Sequence, residues 1–165
     1  MVSALARADV ALYRAARTVG HTPSRERAVA RFSKLGEHAA VWLVGGSVAS
    51  VVDVPRRDAW RRSVGLVAGA YALNTAIKLV VRRPRPDMPG LPALIGTPTG
   101  LSFPSAHATS SFCAARAYGR VVGRPGLFGP LAAALSLSRV WLGVHYPSDI
   151  AAGALLGTVL GGFRP

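Results

Sequence analysis

The sequence predicts an all-α protein, an integral membrane helical bundle of about five spanning helices preceded by an amphipathic interfacial region. Three observations predict it. Half of the 165 residues are hydrophobic and only 16% are charged, against about 25% charged in typical soluble domains, and the mean hydropathy is +0.32. The apolar residues gather into five segments, and the chain between them has few acids and no strand-like alternation. The charge is lopsided, with 20 Lys+Arg against 7 Asp+Glu and a net charge of +13.

Among those cations only Lys34 and Lys78 are lysine, and arginine favours bidentate capture of phosphate or carboxylate. Two classes fit the charge: a membrane protein handling anionic headgroups, and a small nucleic-acid binder. The hydropathy speaks against the second, so membrane lipids and not nucleic acid are the expected partners. The single cysteine, Cys113, excludes an intrachain disulfide framework and reads as an inert core thiol. The first 20 residues carry Arg7, Asp9, Arg14 and Arg17 where a cleavable signal would need an unbroken apolar run.

Residues 1–35 form the expected N-terminal region. "SALARADVALYRAARTVG" sets apolar residues on one helical face and arginines on the other, which suits a helix at an interface. A second helix opens at Thr22-Pro23 and carries Arg25, Arg27, Arg31 and Lys34 toward anionic lipid heads. Residues 36–165 form the expected catalytic membrane domain, with apolar segments at 39–52, 64–81, 105–122, 126–142 and 150–163. Each is at or below the ~20 residues that cross a bilayer. Gly65/Gly69 and Gly153/Gly157/Gly161 repeat at fourfold spacing, which lets helices approach closely and would allow a homo-oligomer. The intervening loops are 53–62, 82–104, 123–126 and 143–148. The second is long and rich in proline and glycine, as functional loops are.

If each segment spans once, the C-terminal ends of the second and fourth share a face. Lys78, Arg85, Ser105, His107, Arg139, His145 and Asp149 then meet around one rim. Asp149 follows His145 by four residues and can hydrogen-bond one imidazole nitrogen, leaving the other nucleophilic. His107 stands at a helix start after Pro104-Ser105, where free backbone N–H groups suit an anion, and can act as general acid. Lys78, Arg85 and Arg139 suit the charge of a phosphate in a five-coordinate transition state. Asp87 and Asp149 are the only acids on this rim, too few for a magnesium cluster. Metal-free phosphoryl transfer through a phosphohistidine is the expected chemistry, with no cofactor.

Three stretches together resemble the tripartite signature of the type 2 phosphatidic acid phosphatase (PAP2) superfamily. "KLVVRRPRP" is similar to its K-x6-R-P motif, the spacing selecting Arg85 over Arg83. "PSAH" is similar to P-S-G-H with Ala106 in place of glycine, and "SRVWLGVHYPSD" matches S-R-x5-H-x3-D in full. The resemblance implies His145 as nucleophile, Asp149 as its orienting partner and His107 as general acid. It implies phosphate binding by Lys78, Arg85, Ser105, Arg139 and the backbone of Ala106. If the family's glycine serves a positive φ, alanine there would lower activity.

The resemblance also implies a lipid phosphate monoester as substrate, with decaprenylphosphoryl-5-phosphoribose, an arabinan precursor of the cell wall, as the leading candidate. Polyprenyl pyrophosphate, phosphatidate and phosphatidylglycerophosphate are the other candidates. A vanadium haloperoxidase and a non-catalytic lipid-binding protein remain as readings from other classes. The expected location is the bacterial inner membrane, spanned several times.

Overall fold

The computed structural model describes residues 4–163. Residues 1–3 and 164–165, at the two ends of the expected regions, lie outside the described residues. Regular structure among the described residues is helical, apart from one isolated bridge between Pro84 and Leu101. The helices are α1 (Ala4–Thr18), α2 (Pro23–Lys34), α3 (Ala40–Val52), α4 (Arg57–Val81), α5 (Ala106–Val121), α6 (Gly129–Trp141) and α7 (Pro147–Leu160). The five expected apolar segments are α3 to α7.

The boundary between α3 and α4 differs from expectation. The segment expected as a loop at 53–62 is a 3-10 turn, Val54–Arg56, followed by the first turns of α4. Pro55 suits a helix start, Arg56 pairs with Asp53 at 2.7 Å, and Trp60 Nε1 donates to Asp53 Oδ2 at 2.9 Å. The extended stretch Val54–Val81 is, on its own, the one helix among the described residues long and apolar enough to cross a membrane. The pair Pro23–Lys34 and Glu37–Val52, bent by 47°, passes only as a broken span. Its elbow is strained: His38 (φ 50°, ψ 28°) and Ala39 (φ 59°, ψ 20°) are consecutive left-handed non-glycine residues, at a cost of about 1–3 kcal/mol each.

α5 sits at the centre, and its composition explains why. Ala108, Thr109, Ser110, Ser111, Cys113, Ala114 and Ala117 are small enough for other helices to close around it. α7 lays its glycine stripe directly on α5. A Cβ at Gly153 would stand 2.6 Å from the Ser105 carbonyl oxygen, and one at Gly161 2.6 Å from that of Cys113. This stripe is spent on an internal contact, whereas Gly65 and Gly69 face open space. At the far end of α5, Tyr118 packs on Trp60 with ring centroids 5.1 Å apart and donates to the Trp42 carbonyl at 2.8 Å. The outward faces of α3, the C-terminal half of α4 and α7 expose apolar side chains, among them Val44, Val48, Leu79, Leu155 and, at 82% exposed, Val80, which suits hydrocarbon contact.

α1 carries the expected amphipathic pattern, but its polar stripe points inward. Asp9, Tyr13 and Arg17 are buried, while Leu5 and Leu12 are exposed. Tyr13 donates to the Gly143 carbonyl at 3.3 Å, and Arg17 to those of Trp141 and Pro92 at 3.2 and 2.7 Å. The helix lies across the two loops that join the other helices at the end holding Lys78 and Arg139.

Gly157 and Gly65 separate internal packing from mere small size. Gly157→Ala puts a methyl group against the Thr109 carbonyl, backbone that cannot swing aside, and should lower stability by about 2 kcal/mol. Gly65→Ala enters open space in mid-helix and should be neutral or stabilising by up to ~1 kcal/mol. Thermal unfolding in detergent reads both, and equal Tm values would contradict this packing of α7 on α5.

Candidate active site

The C-terminal ends of α4 and α6 and the N-terminal ends of α5 and α7 converge at one end of the bundle. Between them lies a cavity of about 120 Å³ whose lining includes Lys78, Arg85, Ala106, His107, Arg139 and His145. The expected rim therefore forms. Ser105 and Asp149 sit immediately behind the lining, both fully buried.

Lys78 and Arg85 are held in place by backbone oxygen. Lys78 Nζ donates to the carbonyls of Leu101, Ser102 and Pro104, all at 3.1 Å. Arg85 Nε donates to the Thr99 carbonyl at 2.8 Å and Nη1 to that of Val144 at 2.6 Å. Burial pushes the Arg85 guanidinium down to about 10, so it stays charged at neutral pH. Arg139 is 3% exposed, and its buried Nε has no hydrogen-bond partner among the described residues. An anion in the cavity would satisfy that donor.

The tautomer of His145 follows from its neighbours. Arg85 Nη1 lies 3.1 Å from His145 Nε2, and a guanidinium has no acceptor, so Nε2 must offer its lone pair. The proton then resides on Nδ1, which faces Asp149 Oδ2 at 3.3 Å. Burial pushes the imidazole down to about 3; the Asp149 hydrogen bond opposes this shift and the Arg85 charge adds to it. A neutral imidazole whose Nε2 lone pair faces the cavity can attack a phosphorus atom once a phosphate takes over the Arg85 guanidinium.

Asp149 is held by three donors, the His145 ring among them. Tyr146 N–H donates to its Oδ2 at 2.9 Å, closing the first turn of α7, and Arg83 Nη1 donates to Oδ1 at 2.8 Å. Arg83 also donates from Nη2 to Asp9 Oδ2 at 2.9 Å and covers the Tyr146 ring at 4.2 Å. Burial, the largest influence on Arg83, works against its charge; Asp9 and Asp149 outweigh it and hold the guanidinium above its ordinary value.

His107 is anchored from the opposite side. Its Nε2 lies 3.0 Å from the Ser33 carbonyl, an acceptor only, so Nε2 carries the proton and Nδ1 the lone pair. Ser33 Oγ also accepts from Arg139 Nη1 at 2.9 Å and from Ser138 Oγ at 3.1 Å. Ser105 caps α5, its Oγ accepting from Ala108 N–H at 3.5 Å and its own N–H donating to the Asp149 carbonyl at 3.0 Å. Ala106 is not among the non-glycine residues with positive φ, so alanine in place of the family glycine brings no backbone strain.

Sequence reasoning missed four contributors. Motif spacing selects Arg85 over Arg83, and Asp9 stands out in the sequence only as a charge interrupting an apolar run. Ser33 is an ordinary serine in a basic helix. His38, on the strained elbow, lines the cavity mouth beside Tyr71. Only Asp9, an acid facing an apolar neighbourhood in a chain with few acids, left a usable signal.

Two measurements probe this geometry. Ser33→Ala removes the hydroxyl acceptor from a buried guanidinium and should lower kcat/KM by roughly 10-fold, since hydrogen bonds to charged groups contribute about 1.5–3 kcal/mol. The His145 imidazole should remain neutral as the pH falls through its ordinary 6.5 and take up a proton only near 3. The unfolded chain binds that proton first, so His145 lowers stability progressively as pH falls through this window. Ring ¹⁵N shifts in the ligand-free protein read the charge directly, and a transition near the ordinary value would refute it.

Comparison with known proteins shows the family. Residues 60–164 match the family model described as the PAP2 superfamily. Over 134 residues the chain is 45% identical to the decaprenylphosphoryl-5-phosphoribose phosphatase of Mycobacterium tuberculosis (strain CDC 1551 / Oshkosh), covering 78% of this chain and 72% of that protein. The protein of that name from Mycolicibacterium smegmatis is 41% identical over 127 residues, covering 73% of this chain and 67% of its own length. Among solved structures, the transmembrane PAP2-type phosphatidylglycerolphosphate phosphatase from Bacillus subtilis superposes with a TM-score of 0.79 at 22% identity, covering 97% of this chain and 84% of that one. A family match over most of the chain, close relatives in two mycobacteria and the shared membrane fold agree: the chain belongs to the PAP2 superfamily.

Proposed function

We propose that this chain is a metal-free phosphatase of lipid-linked phosphate monoesters, acting on decaprenylphosphoryl-5-phosphoribose in arabinan precursor synthesis. The substrate is the one named for its mycobacterial relatives. One arrangement carries the reading: a neutral His145 with Nδ1 on Asp149 and Nε2 turned toward Arg85, beside Lys78 and Arg139. The enzyme sits in the bacterial inner membrane and spans it several times. Residues 1–35 form a cap on the catalytic domain of residues 36–165.

In the first step His145 Nε2 attacks phosphorus, the P–N bond forms and the ester P–O bond breaks. Lys78, Arg85, Arg139 and the α5 N-terminus at Ala106 hold the equatorial oxygens, with Ser105 capping that helix from behind. Asp149 stabilises the positive charge that develops on the ring. With Nε2–H held by the Ser33 carbonyl, Nδ1 is the atom of His107 left to take up a proton, from the substrate's phosphate monoanion or from the water split in the previous turnover, and pass it to the leaving oxygen. In the second step His107 takes a proton from water, the hydroxide attacks phosphorus, and the P–N bond breaks to release inorganic phosphate. Both Asp149 oxygens are already engaged by donors, and the three cations supply the charge a metal would supply.

Phosphate release from a panel of decaprenylphosphoryl-5-phosphoribose, polyprenyl pyrophosphate and phosphatidate, with and without EDTA, tests the reading. Turnover should favour the first lipid, persist in EDTA and fall by at least roughly 10³-fold in His145→Ala. An acid-labile phosphoryl adduct at His145 should accumulate on rapid quenching. Lipid binding without turnover, halide oxidation in its place, or full activity in His145→Ala would each overturn it.

A further inference from the structure

The cavity has two chemically different halves. Its cations, Lys78, Arg85 and Arg139, surround His145, whereas the mouth is lined by His38, Tyr71, Thr75 and Thr99. The mouth groups hydrogen-bond through imidazole, phenol and hydroxyl rather than through the fixed charge of a lysine or arginine. Tyr71, Thr75 and Lys78 follow one another at i, i+4 and i+7, so a single face of α4 runs from neutral hydroxyls to a cation.

Backbone strain marks the same place. His38 and Ala39 are both left-handed without being glycine, and such conformations persist where surrounding structure holds them for a purpose. Here they set the His38 ring against Tyr71, Nδ1 to the phenol oxygen at 2.9 Å. Thr75 donates its hydroxyl to the Tyr71 carbonyl at 3.0 Å. Imidazole, phenol and threonine hydroxyl each both donate and accept hydrogen bonds. That is the complement of a sugar's adjacent hydroxyls. A second phosphate joined directly to the scissile one, as in a pyrophosphate, would find no cation of its own at the mouth.

We infer that His38 and Tyr71, supported by Thr75, form a subsite for the hydroxyl edge of the pentose ring next to the scissile phosphate. This rests on the phosphopentose-lipid reading above and adds the residues that distinguish that lipid from sugar-free phosphates. A site built to hydrogen-bond hydroxyls discriminates strongly against a substrate that lacks them.

The test compares kcat/KM on decaprenylphosphoryl-5-phosphoribose and on dioleoyl phosphatidate in the same detergent. In Tyr71→Phe, which deletes one oxygen atom, and in His38→Ala, the ratio of the two should fall about tenfold, mainly through KM for the pentose lipid. His38→Gln, which keeps a donor and an acceptor, should recover part of the ratio. A ratio that does not move in Tyr71→Phe and His38→Ala would overturn the subsite, even with pentose-lipid turnover intact in the wild type. Wild-type protein that hydrolyses phosphatidate but not the pentose lipid would instead overturn the substrate reading, and the subsite with it.

Discussion

A carboxylate with no access to solvent is the constraint on which the rest of the site depends. An ionised Asp149 in the bundle interior would be prohibitively costly alone. Three donors meet it: the His145 ring, the Tyr146 backbone and the Arg83 guanidinium. Each also performs a second task. Tyr146 starts α7, Arg83 ties the long loop to α1 through Asp9, and His145 turns its unprotonated nitrogen into the cavity. Compensating one buried charge thus sets a helix start, a loop position and a tautomer together.

The cations pose the opposite problem. Lys78, Arg85 and Arg139 approach one another with no carboxylate hydrogen-bonded to any of them; carbonyl dipoles from the long loop and the α6–α7 loop face Lys78 and Arg85, and the Ser33 hydroxyl faces Arg139. Irregular backbone tolerates the interior because its carbonyls find ammonium and guanidinium donors there. The richness of residues 82–104 in proline and glycine follows from this: proline removes N–H donors that would need partners, and what remains is a shell of acceptors. The site is left short of negative charge, and a phosphate dianion is the species that restores the balance.

Much of this was legible in the sequence, and the reason is local. The apolar segments and the residues at their ends are fixed by runs of ten to twenty positions, so α3–α7 and the meeting of Lys78, Arg85, His107, Arg139, His145 and Asp149 could be read directly. What escaped depends on partners far apart in the chain. Asp9 reaches Ser148, and Ser33 reaches Arg139, across more than a hundred residues. α1 also has an amphipathic pattern that is silent about direction. In water its apolar face would turn inward; beside lipid, Leu5 and Leu12 turn outward and Asp9, Tyr13 and Arg17 turn in. The loop at 53–62 became helix because Asp53 could accept from both Arg56 and Trp60, a local detail that the density of arginines obscured.

The elbow between α2 and α3 joins these observations. Within six residues it presents Ser33 behind Arg139 and His107, Gly36 beside the His107 ring, and His38 at the cavity mouth. A Cβ at Gly36 would stand 2.6 Å from His107 Cδ2, so this close approach requires glycine although its φ is ordinary. A straight helix across 23–52 would keep α2 in line with α3, and Ser33 could not come down onto α5 and α6. The 47° bend and the left-handed pair that makes it are therefore what allow an N-terminal segment to orient the proposed general acid. The same bend delivers the His38 side chain to the mouth, so the proposed phosphate site and the proposed pentose subsite both depend on one piece of strained backbone.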